Sequence, residues 1–413
     1  MERLENLLKV FNPHCIKPGL SRIKEFLRKI GNPQQKLNVI LVGGTNGKGS
    51  VCNFLTDILV DNGYKVGTFT SPHIFHVNER IKINQKPYLN LYPYAKEIFE
   101  RCETLTEKPT YFEFLTALAY LVFAQEKVDF AIMEVGLGGR FDAVNVVRPL
   151  LSVIVTISKD HTEFLGNEIS QIAYEKAGII HEKIPVFTGF LKKEALGVIK
   201  ERAKQKNCLF YPLKQHYIKI NKDKFSFSNE NINIKNIKLS MKGRNQIYNA
   251  SLSMHIASNL NIPIKKGIIE KSFWPARIEI IKNKRKTVII DGCHNVESAI
   301  ALSDFLKNYK QEKTLIFSAL KDKDTKGMLK ILLPHFSDVK IIKINNERAI
   351  PTHILCHTVQ QLRFKGNCKT FPSLNEAFLH TLLERDFIVI CGSLYLIPQA
   401  KACLLKSCRF SFQ

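Results

Sequence analysis

The stretch Leu37-Asn38-Val39-Ile40-Leu41-Val42-Gly43-Gly44-Thr45-Asn46-Gly47-Lys48-Gly49-Ser50 decides the fold. Leu37 to Val42 is a short apolar run of the kind a buried strand requires, Gly43-Gly44 ends it, and from Lys48 to Asn62 apolar residues recur at helical spacing. Strand, glycine loop and helix in that order make an anion site. Successive backbone N–H groups and a helix N-terminus can cradle phosphate, and Lys48 adds positive charge. The stretch departs from the plain phosphate-loop pattern, which has Ser or Thr directly after the lysine and a glycine five residues before the second one. Here Gly49 intervenes and Val42 occupies the earlier place. A glycine turn with a solvated lysine is the bland alternative, and the strand-helix setting favours Mg-ATP.

Working outward, strand-like runs follow at Lys65 to Thr70, Val128 to Val135, Leu151 to Ile157 and Ile184 to Phe187, with helical patterns at Tyr111 to Gln125 and Ile169 to Ile180. Such alternation predicts a mainly parallel sheet. Residues 208 to 240 turn to short pieces rich in Lys, Asn, Ile and Phe, which predicts a small antiparallel sheet. After Trp274-Pro275 a second βα series begins, with strands near Thr287 to Ile290, Lys313 to Phe317, Val339 to Ile344 and Phe387 to Ile390. The expected organisation is therefore a domain of residues 1–273 and a smaller Rossmann-like α/β domain of residues 274–413.

Three further places carry chemical promise. Asp129 to Glu134 reads as a strand ending in an acid, the arrangement in which a carboxylate holds Mg²⁺ near bound phosphates, and Gly136, Gly138, Gly139 and Arg140 then form a second glycine loop. Asp160-His161 follows the next strand, so both side chains reach the sheet edge where open α/β folds bind ligands. His161 is open to two readings, a cation ligand or a structural histidine. Asp291-Gly292-Cys293-His294-Asn295 closes a strand of the second series, and Asp291 and His294 stand either over a cleft or in an ordinary turn. Nothing in composition distinguishes Lys176 from a surface lysine.

The chain of 413 residues carries a net charge of +24, which favours anionic partners. Its basic residues are spread out, the densest run being Lys282 to Lys286 in an expected turn, and no nucleic-acid-reading motif is present, so a multiply negative small substrate accounts for the charge. The ten cysteines form no CxxC pair or zinc spacing and fit reduced thiols buried as small hydrophobes in a cytosol. Met1 to Phe11 carries Glu2, Arg3 and Glu5 rather than a signal-peptide apolar run, and Phe114 to Ala124 is too short to span a bilayer. A soluble cytoplasmic enzyme is expected.

GTNGKGS at 44–50, TSPH at 70–73, NERI at 78–81, FEFLT at 112–116, EVGLGGRFDA at 134–143, DH at 160–161, EKAGI at 175–179, WPAR at 274–277, DGCHN at 291–295, KDKD at 321–324 and GSLYL at 392–396 together resemble the folylpolyglutamate synthase family of Mur-type ligases. The resemblance runs in order along nearly the whole chain. It implies a P-loop domain followed by a smaller Rossmann-like domain, and ATP-driven amide formation. In that chemistry a substrate carboxylate takes the γ-phosphoryl group and the amine of L-glutamate attacks the acyl phosphate, releasing ADP and phosphate. The acceptors would be dihydropteroate and the γ-carboxyl of a reduced folate such as tetrahydrofolate.

Residue by residue, the resemblance implies that Gly44, Thr45, Asn46, Gly47, Lys48, Gly49 and Ser50 line the ATP loop, and that Ser50, Ser71, Glu134 and His161 hold Mg²⁺. Asn249 and Arg277 match nucleotide-contacting positions. Lys176 matches a lysine the family carries as a carbamate, and Asp291 and His294 match residues of the second domain that reach ATP, so Lys48, Lys176, Asp291 and His294 become the expected catalytic set. The pattern also implies a monomer that uses neither nucleic acid nor membrane. Four positions depart from it: Asn245 stands where His is usual, Ala276 for Gly, Cys293 for Ala and Val296 for Pro. Near the start, Gly19-Leu20-Ser21-Arg22 resembles the family's segment by the pterin side. A peptidoglycan-precursor ligase is the alternative within the superfamily but would lack the TSPH and GSLYL patterns, and an NTP switch would need an NKxD-type motif that is absent.

Overall fold

The computed structural model describes residues 2–13, 15–283, 286–406 and 411–412; of the basic run at 282–286, Lys284 and Arg285 lie outside them. By internal contacts the chain divides into one unit of Met1–Ser240 with Gln246–Ser272 and another of Met241–Asn245 with Phe273–Gln413.

The sheet of the first unit contains β1 (Val39–Gly43), β2 (Val66–Phe69), β3 (Ile81–Ile83), β4 (Lys86–Pro87), β5 (Phe130–Glu134), β6 (Leu151–Ile154), β7 (Val186–Thr188) and β8 (Phe210–Pro212). Their spatial order is β4-β3-β2-β5-β1-β6-β7-β8. From β2 to β8 all pairings are parallel, and β3 and β4 add an antiparallel edge. β1 is buried along its whole length, as a strand covered on both faces must be, which is why Val-Ile-Leu-Val shows no polar alternation. It lies between β5 and β6, with Val42 beside Glu134 and Gly43 beside Ile154. The chain leaves β1 towards β2 on one side and later reaches β6 on the other. That reversal places a crevice at the C-terminal end of β1.

The small sheet is β9 (Ile218–Asn221), β10 (Lys224–Ser228) and β11 (Asn233–Ile237), antiparallel throughout. It starts later than the sequence suggests, because Phe210–Pro212 pairs with β7 and extends the large sheet.

The helix Tyr111–Gln125 anchors the first core. Thr110 and Glu113 cap it reciprocally: the Glu113 N–H donates to Thr110 Oγ1 (3.3 Å) and the Thr110 N–H to Glu113 Oε2 (2.7 Å). The same Glu113 carboxylate accepts from Arg22 Nε at 3.3 Å, so a carboxylate that burial would penalise is neutralised. Inside, Phe114 packs against the rings of Phe11, Phe26 and Phe99.

The second unit holds β12 (Glu279–Lys282), β13 (Thr287–Ile290), β14 (Thr314–Phe317), β15 (Asp338–Ile342), β16 (Asn367–Phe371), β17 (Phe387–Cys391) and β18 (Ser411–Phe412), in the order β16-β15-β14-β17-β13-β12-β18. Pairings from β16 to β13 are parallel, and β12 runs antiparallel to β13 and to β18. β12 and β16 have no strand-like run to betray them, since Glu-Ile-Ile-Lys is too short and Asn-Cys-Lys-Thr-Phe too polar and exposed to stand out. No described helix is long and apolar enough to cross a membrane.

Phe114→Ala should remove a fully buried ring from this aromatic cluster and cost about 3–5 kcal/mol. A lowered urea midpoint with unchanged slope is the expected result.

Candidate functional site

The glycine loop follows β1 directly and is fastened to the chain beyond β6. Gly44 and Gly47 have φ of 140° and 85°, conformations that favour glycine. A Cβ at Gly44 would lie 3.0 Å from the Thr156 amide nitrogen, and one at Gly47 would lie 2.6 Å from Asn249 Oδ1. The Thr45 N–H donates to the Thr156 carbonyl (2.8 Å), and the Thr156 hydroxyl accepts from the Asn46 N–H (2.9 Å) and donates to the Asn46 carbonyl (3.0 Å). Thr45 Oγ1 donates to the Ser158 carbonyl at 3.2 Å and accepts from its N–H at 3.1 Å. Gly49 lies in the first turn of the helix Lys48–Asp61, as does Ser50, whose buried hydroxyl has no partner. A buried hydroxyl calls for a partner, and at the start of this helix a bound ligand can supply it.

Two lysines converge on this loop. Lys48 Nζ donates to the carbonyls of Gly44 (3.2 Å) and Thr45 (3.1 Å), and Lys176 Nζ donates to the same Gly44 carbonyl (3.0 Å). Burial first, and then the Lys48 charge, pull the Lys176 amine down to about 7. What looks like a surface lysine in the sequence is thus a buried amine, largely neutral above neutrality.

Glu134, at the C-terminal end of β5, accepts the Ser71 N–H at 2.9 Å, so the acid and the TSPH segment meet. That segment is tied down by Glu79, whose carboxylate accepts the N–H groups of Ile74, Phe75 and His76 (2.7, 2.8 and 2.9 Å), and by Arg80, whose Nε donates to His73 Nδ1 (2.9 Å). Burial and the Arg80 charge hold His73 down at about 4, so its ring is neutral. His161 stands past the end of β6 with φ of 50°; its N–H donates to Asp160 Oδ1 (2.9 Å), and Asp160 also faces its ring at 3.9 Å. Among the described residues no group of three His, Cys, Asp or Glu side chains forms a metal cage. Mg²⁺ needs none, because it usually keeps waters and is held by one or two carboxylates and substrate phosphates. The donors present, the Ser50 hydroxyl and the carboxylate that meets Ser71, suit such a hard cation.

The second glycine loop is latched to the turn that carries Lys176. The Arg140 guanidinium clasps Glu175 (2.7 and 3.3 Å), and the Arg140 N–H donates to the Glu175 carbonyl (2.9 Å). Asn145 Nδ2 donates to the carbonyls of Arg140 (3.3 Å) and Gly178 (3.0 Å). A Cβ at Gly178 would fall 2.2 Å from Arg140 Cα, so only glycine admits this approach. Asp142 accepts the N–H groups of Leu137 (2.7 Å) and Val144 (3.1 Å), while burial raises its carboxyl to about 6.

In the second unit Asp291 follows β13 and is buried. Its carboxylate accepts the N–H groups of Ile278 and Cys293, both at 2.8 Å, and burial raises its pKa against the opposing pull of Arg277. Arg277 Nε is buried without a hydrogen-bond partner. His294 Nδ1 donates to the Gly292 carbonyl (2.7 Å). The sequence pattern thus brings Arg277, Asp291 and His294 to one loop cluster, and Lys48, Ser50, Lys176 and Asn249 to another.

The model of the Mur ligase middle domain matches residues 42–257, and that of the dihydrofolate synthetase C-terminal domain matches residues 276–402. The dihydrofolate synthase/folylpolyglutamate synthase of Bacillus subtilis is 40% identical over 341 residues, 77% of this chain and 79% of the relative. The chain belongs to the dihydrofolate synthase/folylpolyglutamate synthase family. The folylpolyglutamate synthase of Lacticaseibacillus casei is 33% identical over 93% of this chain and 94% of its own. Among solved structures, the Thermotoga maritima folylpolyglutamate synthase matches with a TM-score of 0.85 at 32% identity, covering 98% of this chain and 97% of that one. The complex of E. coli FolC with DHPP and ADP matches with a TM-score of 0.89 at 26% identity, covering 98% of each. As a member of this family the chain is an ADP-forming ligase that uses ATP with Mg²⁺.

Sequence reasoning missed Thr156 and Asn145. Thr156 falls inside the expected strand Leu151 to Ile157, which ends at Ile154 in the structure, and the only signal for Asn145 was its place after the second glycine loop.

The buried Lys176 amine has a consequence for stability. Between about 7 and the ordinary lysine value the unfolded chain holds a proton that the folded chain has released, so stability should rise with pH across that window. Lys176→Met should flatten that rise, which urea midpoints measured from pH 7 to pH 10 would register.

Proposed function

We propose that the chain joins L-glutamate to both dihydropteroate and the γ-carboxyl of reduced folates, and that the residues around Gly44 carry the reaction. The observation behind this is the convergence of Lys48 and Lys176 on one carbonyl beside the partnerless Ser50 hydroxyl. The Lys48 amine and the backbone N–H groups that open the helix Lys48–Asp61 suit the polyphosphate of ATP. Support for two acceptors comes from the relatives, since that of Bacillus subtilis carries both activities in its name and the E. coli neighbour was solved with DHPP.

In this reading Lys48 and the amides of Lys48, Gly49 and Ser50 in the first turn of the helix hold the phosphates, and Asn249, packed against Gly47, fixes the loop and meets the nucleotide. Ser50, Ser71, Glu134 and His161 would hold Mg²⁺, which when bound neutralises phosphate charge and so favours transfer to a carboxylate. Lys176, in its neutral form, is suited to adding carbon dioxide and losing a proton, which replaces a cation beside Mg²⁺ with an anionic carbamate. Arg277, Asp291 and His294 are assigned to the nucleotide; the Arg277 Nε left without a partner is one donor available to it. Residues 274–413 make the second, ligase-type domain, and residues 1–273 the ATP-binding one. The reading extends to a monomer working in the cytoplasm without nucleic acid.

The test is to incubate the purified protein with Mg-ATP and glutamate, and with either dihydropteroate or tetrahydrofolate, and to weigh the products. One glutamate added to both acceptors is expected; product from one alone would reduce the proposal to that activity, and product from neither would overturn it. Lys48→Ala should lower kcat/KM by about 10³-fold while circular dichroism shows the fold retained, because the side chain serves bound phosphate.

A further inference from the structure

Most thiols of the described chain are sealed in its cores, but one pair is both close and accessible. Cys356 lies in the helix Thr352–Gln361 and Cys368 in β16, and their sulfur atoms are 3.5 Å apart. Both are free and only partly buried, packed at the margin of the second unit's core. A second pair, Cys293 and Cys391, also lies within hydrogen-bond reach, but both of its members are fully enclosed.

We propose that Cys356 and Cys368 form a reversible disulfide by exchange with a small disulfide oxidant of the oxidised-glutathione class. A sulfur–sulfur bond is about 2.05 Å long, so closure needs an approach of roughly 1.5 Å. A helix and an outer strand joined by a short turn can supply it through side-chain rotation. The turn itself is firmly set: the Leu362 N–H donates to the Thr358 carbonyl (3.1 Å), and a Cβ at Gly366 would lie 2.0 Å from the Ser337 carbonyl oxygen. The two cysteines are therefore held as neighbours rather than meeting by chance.

In the exchange, the Cys356 thiol releases its proton and its thiolate attacks one sulfur of the oxidant, expelling one small thiolate. The Cys368 thiol then releases its proton and attacks the Cys356 sulfur of the mixed disulfide, expelling the second. The two protons end on the two small thiols, so two protein thiols are oxidised and one small disulfide is reduced. Burial, and then the neighbouring thiol, push the Cys368 thiol up to about 12. The bond ties the last described strand on that side of the sheet to the helix that precedes it, with the loop between them closed. In a reducing compartment such a bond is a transient, redox-sensing one.

The test uses the full chain, equilibrated with oxidised glutathione, its free thiols then blocked by alkylation before digestion with trypsin. Cys356 and Cys368 fall in separate tryptic peptides, residues 349–363 and 366–369. The expected product is these two peptides linked, lighter than their sum by two hydrogens and released by dithiothreitol, with Cys293 and Cys391 still reduced. The oxidised protein should melt roughly 5 °C higher, a gain absent from Cys356→Ser and Cys368→Ser, which should fold and show no link. Glutathione carried separately by either cysteine, linkage of Cys15 or Cys208 in its place, or thiols that stay reduced would each overturn the proposal.

Discussion

Two lysine amines share one carbonyl oxygen, that of Gly44, and the site is organised around this tension. Two ammonium groups held against one acceptor oppose each other's charge, the more so away from bulk water. Part of the relief is visible in the protein itself: burial and the neighbouring ammonium draw Lys176 down to about 7, so one of the two charges is readily surrendered. The rest awaits a polyanion. The excess of 61 basic over 37 acidic residues extends the same preference to the whole surface, where it steers multiply negative substrates.

This convergence follows from parallel pairing. Because β5, β1 and β6 run the same way and in near register, their C-terminal ends deliver Glu134, the glycine loop and the Thr156 to His161 segment to one edge. Antiparallel neighbours would have sent these ends to opposite edges. The loop conformation then depends on close backbone approach: Gly44 lies on Thr156, Gly47 on Asn249, and Gly178 on Arg140, leaving no room for a Cβ. The glycines of the motifs are thus contact points between segments far apart in sequence as well as flexible positions.

Much of the architecture was legible along the chain. The apolar runs of β1, β5, β6, β13, β14 and β17, and the helix Tyr111–Gln125, announce themselves because buried elements must be apolar over their length. The marginal strands did not. β16, Asn-Cys-Lys-Thr-Phe, is half-exposed and carries no periodic signal, and β8 looked like part of the small sheet until its pairing with β7 placed it in the large one. At the site, the glycine loop, Glu134 and Asp160-His161 could be found from their positions after strands, whereas Asn145 and Thr156 could not.

The sequence by itself determined the α/β class, the phosphate-binding character of Gly44 to Ser50 and, through its ordered motifs, the family, because these depend on local spacing and on residue types next to one another. Only the tertiary structure decided what Lys176 is. Its motif marks it by resemblance alone and nothing in composition sets it apart; in the fold it is enclosed against the Gly44 carbonyl with its charge weakened. Likewise it paired Cys356 with Cys368 and set the Asn145 amide across two carbonyls. Burial and long-range proximity alter acidity and reactivity by removing water and adding neighbours, and neither is written in the order of residues along the chain.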